Sequence, residues 1–244
     1  MRVSDMSKKT AYVNDDNLSF IGENLGFEGK EAFNLLRTNI LFAVKRKDRS
    51  ARVIGVTSSV HGEGKSLTSV NLAYSIAESG RKVLLIECDM RLPTLRKKLG
   101  QKKAAGLSNL LAGVEEDGDV LRQNVNVNGL DVIFAGKTPP NPSELLASHT
   151  FSRLIEKVEN YYSFIILDLP PVCEVSDALI VSKLTDGMLM VVRQDYSTST
   201  DLEYAMRQLD YVDAKVLGFV YNSADSKTRR YKYKYGYGKG YSRS

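Results

Sequence analysis

Ser59-Val60-His61-Gly62-Glu63-Gly64-Lys65-Ser66 gathers two glycines, a lysine and hydroxyls in one short run. These residue types, in this order, can hold a nucleotide triphosphate. Backbone N–H groups of a glycine-rich loop and of a following helix point into one concavity, where the helix dipole adds about half a positive charge. Lys65 then reaches the β/γ-phosphates and the Ser66 hydroxyl ligates Mg²⁺. Contacts to ATP are expected from Val60, His61, Gly62, Glu63, Gly64, Lys65, Ser66 and Leu67. The pattern departs from the usual phosphate loop at Ser59, where the first glycine would stand.

Two further runs end in acids: Ile86-Glu87-Cys88-Asp89-Met90-Arg91 and Leu167-Asp168-Leu169-Pro170-Pro171. Phosphoryl transfer needs carboxylates to hold Mg²⁺ or its waters and to accept a proton from the attacking hydroxyl. Asp168, closing a stretch of four apolar residues, has the form of a Walker B aspartate. Ser66, Asp89 and Asp168 are therefore the expected metal-side groups.

These residues must be carried on elements that bring them to one edge. Val53 to Val56, Val83 to Ile86, Leu130 to Phe134, Phe164 to Leu167, Met188 to Val192 and Val216 to Tyr221 read as strands. Helices are expected from Glu31 (Phe33, Leu36, Ile40 and Val44 at helical spacing), at Ser66 to Glu78 closed by Gly80, at Leu107 to Leu111, and at Leu145 to Val158. Apolar strands separated by helices predict an α/β fold, a doubly wound and mostly parallel sheet with helices on both faces. Right-handed crossovers then place every strand's C-terminal end on one edge, where such sheets bind ligands. All the motifs fall there.

Length and composition fit one such domain, expected over 28–226, with an N-terminal arm at 1–27 and a tail at 227–244. No apolar run is long enough for a membrane span and the polar start is unlike a signal peptide, so a cytoplasmic chain is expected. Cys88 and Cys173 suggest neither a disulfide framework nor a metal cluster. The net charge of +5 conceals a tail of +7, which leaves −2 for the body, so no nucleic-acid-binding face is expected on the domain.

Together with Asn141-Pro142-Ser143-Glu144-Leu145-Leu146, the three strand-end motifs resemble those of the bacterial tyrosine kinases of capsular and exopolysaccharide synthesis, P-loop ATPase relatives. The resemblance covers about residues 30 to 222 and the tail. It implies ATP and Mg²⁺ bound through Lys65 and Ser66, with Asp89 and Asp168 serving the metal and the acceptor hydroxyl. Which carboxylate is the base is not readable from sequence. Arg91 is expected to contact phosphates or to fix its loop. Glu87 stands where the family usually has aspartate. The family's Glu-x-x-Arg-x-x-Arg assembly motif reads Glu31-x-x-Asn34-x-x-Arg37, so Glu31 and Arg37 are the expected contacts of a homo-oligomeric ring. The resemblance further implies recruitment to the inner face of the membrane by a membrane-bound activator of the polysaccharide co-polymerase kind, and a cognate tyrosine phosphatase. Partitioning and division-site ATPases resemble the chain in the same motifs but carry a signature lysine at the position of Val60. Asn222, past the last strand, stands where such folds contact adenine; asparagine is equally a common turn residue.

Tyr231, Tyr233, Tyr235, Tyr237 and Tyr241, interleaved with lysine and glycine, cannot build a core, and a disordered tail is expected. The resemblance makes these five the phosphoacceptors, in trans. Single-stranded nucleic acid stacked on the rings, or anionic lipid against the lysines, are the competing uses.

Overall fold

The computed structural model describes residues 21–44, 51–102, 104–114 and 127–224. A 3₁₀ turn at Gly22–Asn24 precedes α1 (Phe27–Ala43), and β1 (Arg52–Ser58) leads through the glycine-rich loop into α2 (Lys65–Glu78). There follow β2 (Val83–Glu87), α3 (Leu95–Lys98), α4 (Leu107–Leu111), β3 (Leu130–Ile133), α5 (Pro142–Leu146), α6 (His149–Glu159) and β4 (Phe164–Asp168). The described elements close with α7 (Asp177–Ser182), β5 (Gly187–Arg193), α8 (Ser199–Tyr211) and β6 (Val216–Asn222). The five tail tyrosines and most of the expected N-terminal arm lie outside the described residues.

The strands form one sheet in the order β3-β2-β4-β1-β5-β6, each adjacent pair parallel. Alternation of side chains splits β1 between two cores: Val53 joins the side covered by Phe151, Leu154, Ala205 and Leu209, while Ile54 and Val56 join the side covered by Ile40, Leu72 and Ile76. Helices therefore cover both faces, as the two-sided apolar strands require. The winding changes sides across β1, which lies between β4 and β5. Such a switch point leaves a crevice at the strand C-termini.

Two expectations shift. The first helix starts at Phe27 rather than Glu31, because extended Gly26 is its N-cap and Phe27 can lie exposed in the first turn. The single helix expected over Leu145 to Val158 is two, because Ser148 is extended and accepts the Phe151 N–H at 3.3 Å, starting α6 afresh. Such a cap is worth about 1 kcal/mol. β6, at one edge of the sheet, is only half covered, with Phe219 and Tyr221 more than half exposed.

Candidate active site

Gly62 (φ 85°) and Gly64 (φ 95°) turn the loop in left-handed conformations that residues with a Cβ adopt only at a cost. A methyl on Gly64 would also lie 2.0 Å from Asn222 Nδ2. Gly64 caps α2, so the first N–H groups of that helix open into the concavity, an arrangement that binds anions. Leu67 and Thr68 follow in its first turn. Glu63 is fully buried; its Oε2 accepts the Val60 N–H at 2.9 Å, while the His61 N–H goes to Glu174 Oε1 at 2.6 Å.

Inside the concavity Lys65 Nζ meets Asp89 Oδ2 at 2.7 Å, with both side chains almost wholly buried. Burial opposes the lysine charge, but Asp168, Asp89 and Glu87 outweigh it and hold the ammonium above its ordinary pKa. Asp89 Oδ1 accepts the Leu92 N–H at 3.0 Å. Asp168 comes in from β4, fully buried; Ser69 donates to its Oδ1 at 3.1 Å, and Oδ2 has no hydrogen-bond partner. Burial pushes the Asp168 carboxyl up, against the pull of Lys65 and of the Ser66 and Ser69 hydroxyls. Ser59 Oγ, also in the loop, is the other buried side-chain oxygen left without a partner among the described residues. Orphaned buried oxygens beside a phosphate cradle suit a cation and its nucleotide. No cluster of three acids or metal-binding side chains occurs among the described residues. Mg²⁺ does not need one: a carboxylate, a hydroxyl and nucleotide phosphates suffice, and Asp168 and Ser66 offer the first two.

Other expected residues have firm but different surroundings. Arg91 donates through Nε and Nη2 to Asp177 at 3.0 and 3.2 Å, and through Nη2 to Ser143 Oγ at 2.9 Å. It ties the loop after β2 to α7 and α5, and this is where Ser143 of the Asn141-to-Leu146 run enters the site. Glu87 is buried with three backbone N–H groups on its carboxylate, from Thr94 (2.6 Å), Leu95 (2.7 Å) and Ala135 (3.0 Å). It thereby starts α3 and holds the end of β3. Asn222 donates to Glu63 O at 2.9 Å and accepts the Ser223 N–H through Oδ1. It also lines a groove of about 780 Å³ between α1 and β6, with Leu25, Phe33, Leu36, Leu67 and Tyr221.

Glu31 and Arg37 are joined within the chain. Asn34 donates to Glu31 Oε1 and accepts from Ser75 Oγ, while Arg37 Nη1 donates to Ser75 O at 2.5 Å. The motif thus fastens α1 to α2. Cys88 is buried and Cys173 half-buried, both free.

Sequence alone did not single out Glu174, Arg193, Tyr196 or Ser197, which reach the phosphate loop from distant segments. Only their place at or past strand ends could have marked them.

A family model described as an AAA domain matches residues 51–216. Tyrosine-protein kinase CpsD of Streptococcus agalactiae serotype III (strain NEM316) is 36% identical over 206 residues, covering 83% of this chain and 85% of that protein. The crystal structure of the chimerical protein CapA2B2 superposes with a TM-score of 0.77 at 33% identity, covering 84% of this chain and 89% of that one. The kinase domain of Escherichia coli tyrosine kinase ETK gives a TM-score of 0.77 at 30% identity, covering 92% and 84%.

Proposed function

The chain belongs to the bacterial tyrosine kinases, within the P-loop ATPases, and from this we propose that it transfers the γ-phosphoryl group of ATP to tyrosine hydroxyls. The observation that carries the reading is the convergence of Lys65, Asp89 and Asp168 at the mouth of one phosphate loop. The acceptors are the chain's own Tyr231, Tyr233, Tyr235, Tyr237 and Tyr241, reached in trans, since an extended segment of eighteen residues spans up to about 60 Å. The process served is capsule or exopolysaccharide assembly, in keeping with the kinase relatives.

Catalysis of this kind is mostly positioning and charge stabilisation. The loop N–H groups and Lys65 take the phosphates. Ser66 and Asp168 would hold Mg²⁺, which would neutralise charge on the phosphate oxygens. Arriving phosphates draw Lys65 off Asp89, whose freed Oδ2 becomes the acceptor of the tyrosine proton. Arg91 fixes the segment carrying Asp89. The base enters the groove beside Leu67 and Asn222.

No helix among the described residues is long and apolar enough to cross a membrane. A membrane-bound activator of the co-polymerase kind recruits the kinase to the inner face of the membrane, a cognate phosphatase resets the tail, and subunits assemble in a ring. Glu31 and Arg37 support that ring by fixing the shape of the α1 surface.

The test is incubation with ATP labelled on the γ-phosphate, with and without a candidate activator. Label on tyrosine is expected in the wild type and lost in Lys65→Met, with the circular dichroism unchanged. Phosphotyrosine retained by that variant, or release of free phosphate alone by the wild type, overturns the reading.

A further inference from the structure

Six consecutive carbonyls of the phosphate loop, from Ser58 to Glu63, are each held by a donor. The first two accept the Val172 and Cys173 N–H groups at 2.9 and 3.0 Å, and Val60 O accepts Ser58 Oγ at 2.8 Å. The next three accept side chains from β5, the loop after it, and β6. Tyr196 Oη donates to His61 O at 3.0 Å, Arg193 Nη1 to Gly62 O at 3.1 Å, and Asn222 Nδ2 to Glu63 O at 2.9 Å.

We infer that Tyr196, Arg193 and Asn222 form a carbonyl clamp, three positioning residues that keep the loop's N–H groups facing the nucleotide phosphates. A peptide unit carries its carbonyl and N–H on opposite sides, so holding three carbonyls outward fixes the flanking N–H groups inward before any ligand arrives. Donors set in advance need no reorganisation when charge develops, which is the condition for strong electrostatic stabilisation. A loop free to flip a peptide would instead present oxygen to the anion.

Independent features of the backbone agree. Arg193 and Asn222 are register partners on β5 and β6, so one strand pair aims two of the donors. Ser197 couples the clamp to the loop's buried acid: it accepts the Arg193 N–H at 2.8 Å and donates to Glu63 Oε1. Three non-glycine residues among those described have positive φ, and two of them, Asp195 (φ 55°) and Ser223 (φ 54°), adjoin Tyr196 and Asn222. Strain of this sort persists where surrounding structure imposes it and clusters at ligand clamps. The Arg193 guanidinium also stacks over the Tyr196 ring, 5.1 Å from its centre. A methyl at Gly62 would lie 3.0 Å from Tyr196 Oη, so the loop approaches the clamp as closely as glycine permits.

The clamp rests on the proposed nucleotide-binding role of the loop, so the test reads binding rather than turnover. MgADP affinity is measured by titration calorimetry on the full chain, beside the thermal midpoint of the free protein, for Tyr196→Phe, Arg193→Ala, Arg193→Lys and Asn222→Ala. Loss of one hydrogen bond should weaken MgADP about three- to tenfold in the first, second and fourth. The midpoint should stay close to wild type, and Arg193→Lys should recover most of the affinity. Unchanged affinity in the three variants overturns the clamp, as does a fall in midpoint that accounts for the affinity lost. Wild-type protein that binds MgADP but makes no phosphotyrosine overturns the kinase reading and leaves the clamp standing.

Discussion

Lys65 and Asp89 form a buried ion pair, Nζ to Oδ2 at 2.7 Å, across the mouth of the phosphate loop. Without nucleotide the carboxylate holds the ammonium, so phosphates and Asp89 would compete for one cation. Asp89→Asn removes the competitor and, through Oδ1, keeps the bond from the Leu92 N–H. MgADP affinity should rise about threefold or more while phosphotyrosine formation falls about a hundredfold, the usual scale for loss of a general base. Calorimetry and single-turnover labelling check the two halves; weaker binding would contradict the competition.

Asp168 gives a pH dependence with a definite sign. Its carboxyl is raised by burial, so the stability tied to its neutral form is complete below the ordinary carboxylate pKa of about 4 and is lost as pH rises through the folded value. In nucleotide- and metal-free protein, the melting temperature of Asp168→Asn relative to wild type should therefore increase as pH rises from about 4 to 8. Calorimetric scans at both values measure it, and a difference that shrinks with pH refutes it. The same variant should make no phosphotyrosine.

Glu87 is predicted to matter for folding more than for chemistry. Glu87→Gln turns one carboxylate oxygen into an amide nitrogen facing either the Ala135 N–H or those of Thr94 and Leu95. An unmatched buried donor costs about 1 to 3 kcal/mol, which chemical denaturation will show. Labelling per folded molecule should stay within about threefold of wild type; a collapse of activity at full stability would place Glu87 in the reaction.

Gly64→Ala should abolish nucleotide binding. A left-handed alanine costs about 1 to 2 kcal/mol, and its methyl would strike Asn222 Nδ2, breaking that bond to Glu63 O. Binding recovered in the double variant to the level of Asn222→Ala alone would identify the clash, rather than the backbone strain, as the cause.

The tail supplies a charge test. Five phosphates add about −8 to −10 to a segment of +7, so attraction between tails and acidic bodies should vanish on phosphorylation. Replacing all five tyrosines with phenylalanine should leave assemblies intact after ATP addition, as judged by light scattering. Dispersal of that variant by ATP would show that tail phosphorylation is not what releases the assembly.

Local order was readable because it is written in contiguous residues. The apolar strands, the loop from Ser59 to Ser66, and acids directly after β2 and β4 need no distant partner to be recognised. The strand order did not follow from them, nor did the break at Ser148, where one polar cap outweighed a continuous helical pattern.

The sequence alone determined an α/β sheet with a nucleotide loop and two acids at one edge, because period and spacing are local properties of a chain. Tertiary structure alone decided what each polar group faces. It set Lys65 on Asp89, spent Glu87 on three backbone N–H groups, bound Arg37 to α2, and brought Tyr196, Arg193 and Asn222 onto carbonyls more than a hundred residues away. The reason is physical: a buried polar atom takes whichever partner the packing of distant segments supplies, and only the folded sheet brings β5 and β6 beside the loop after β1.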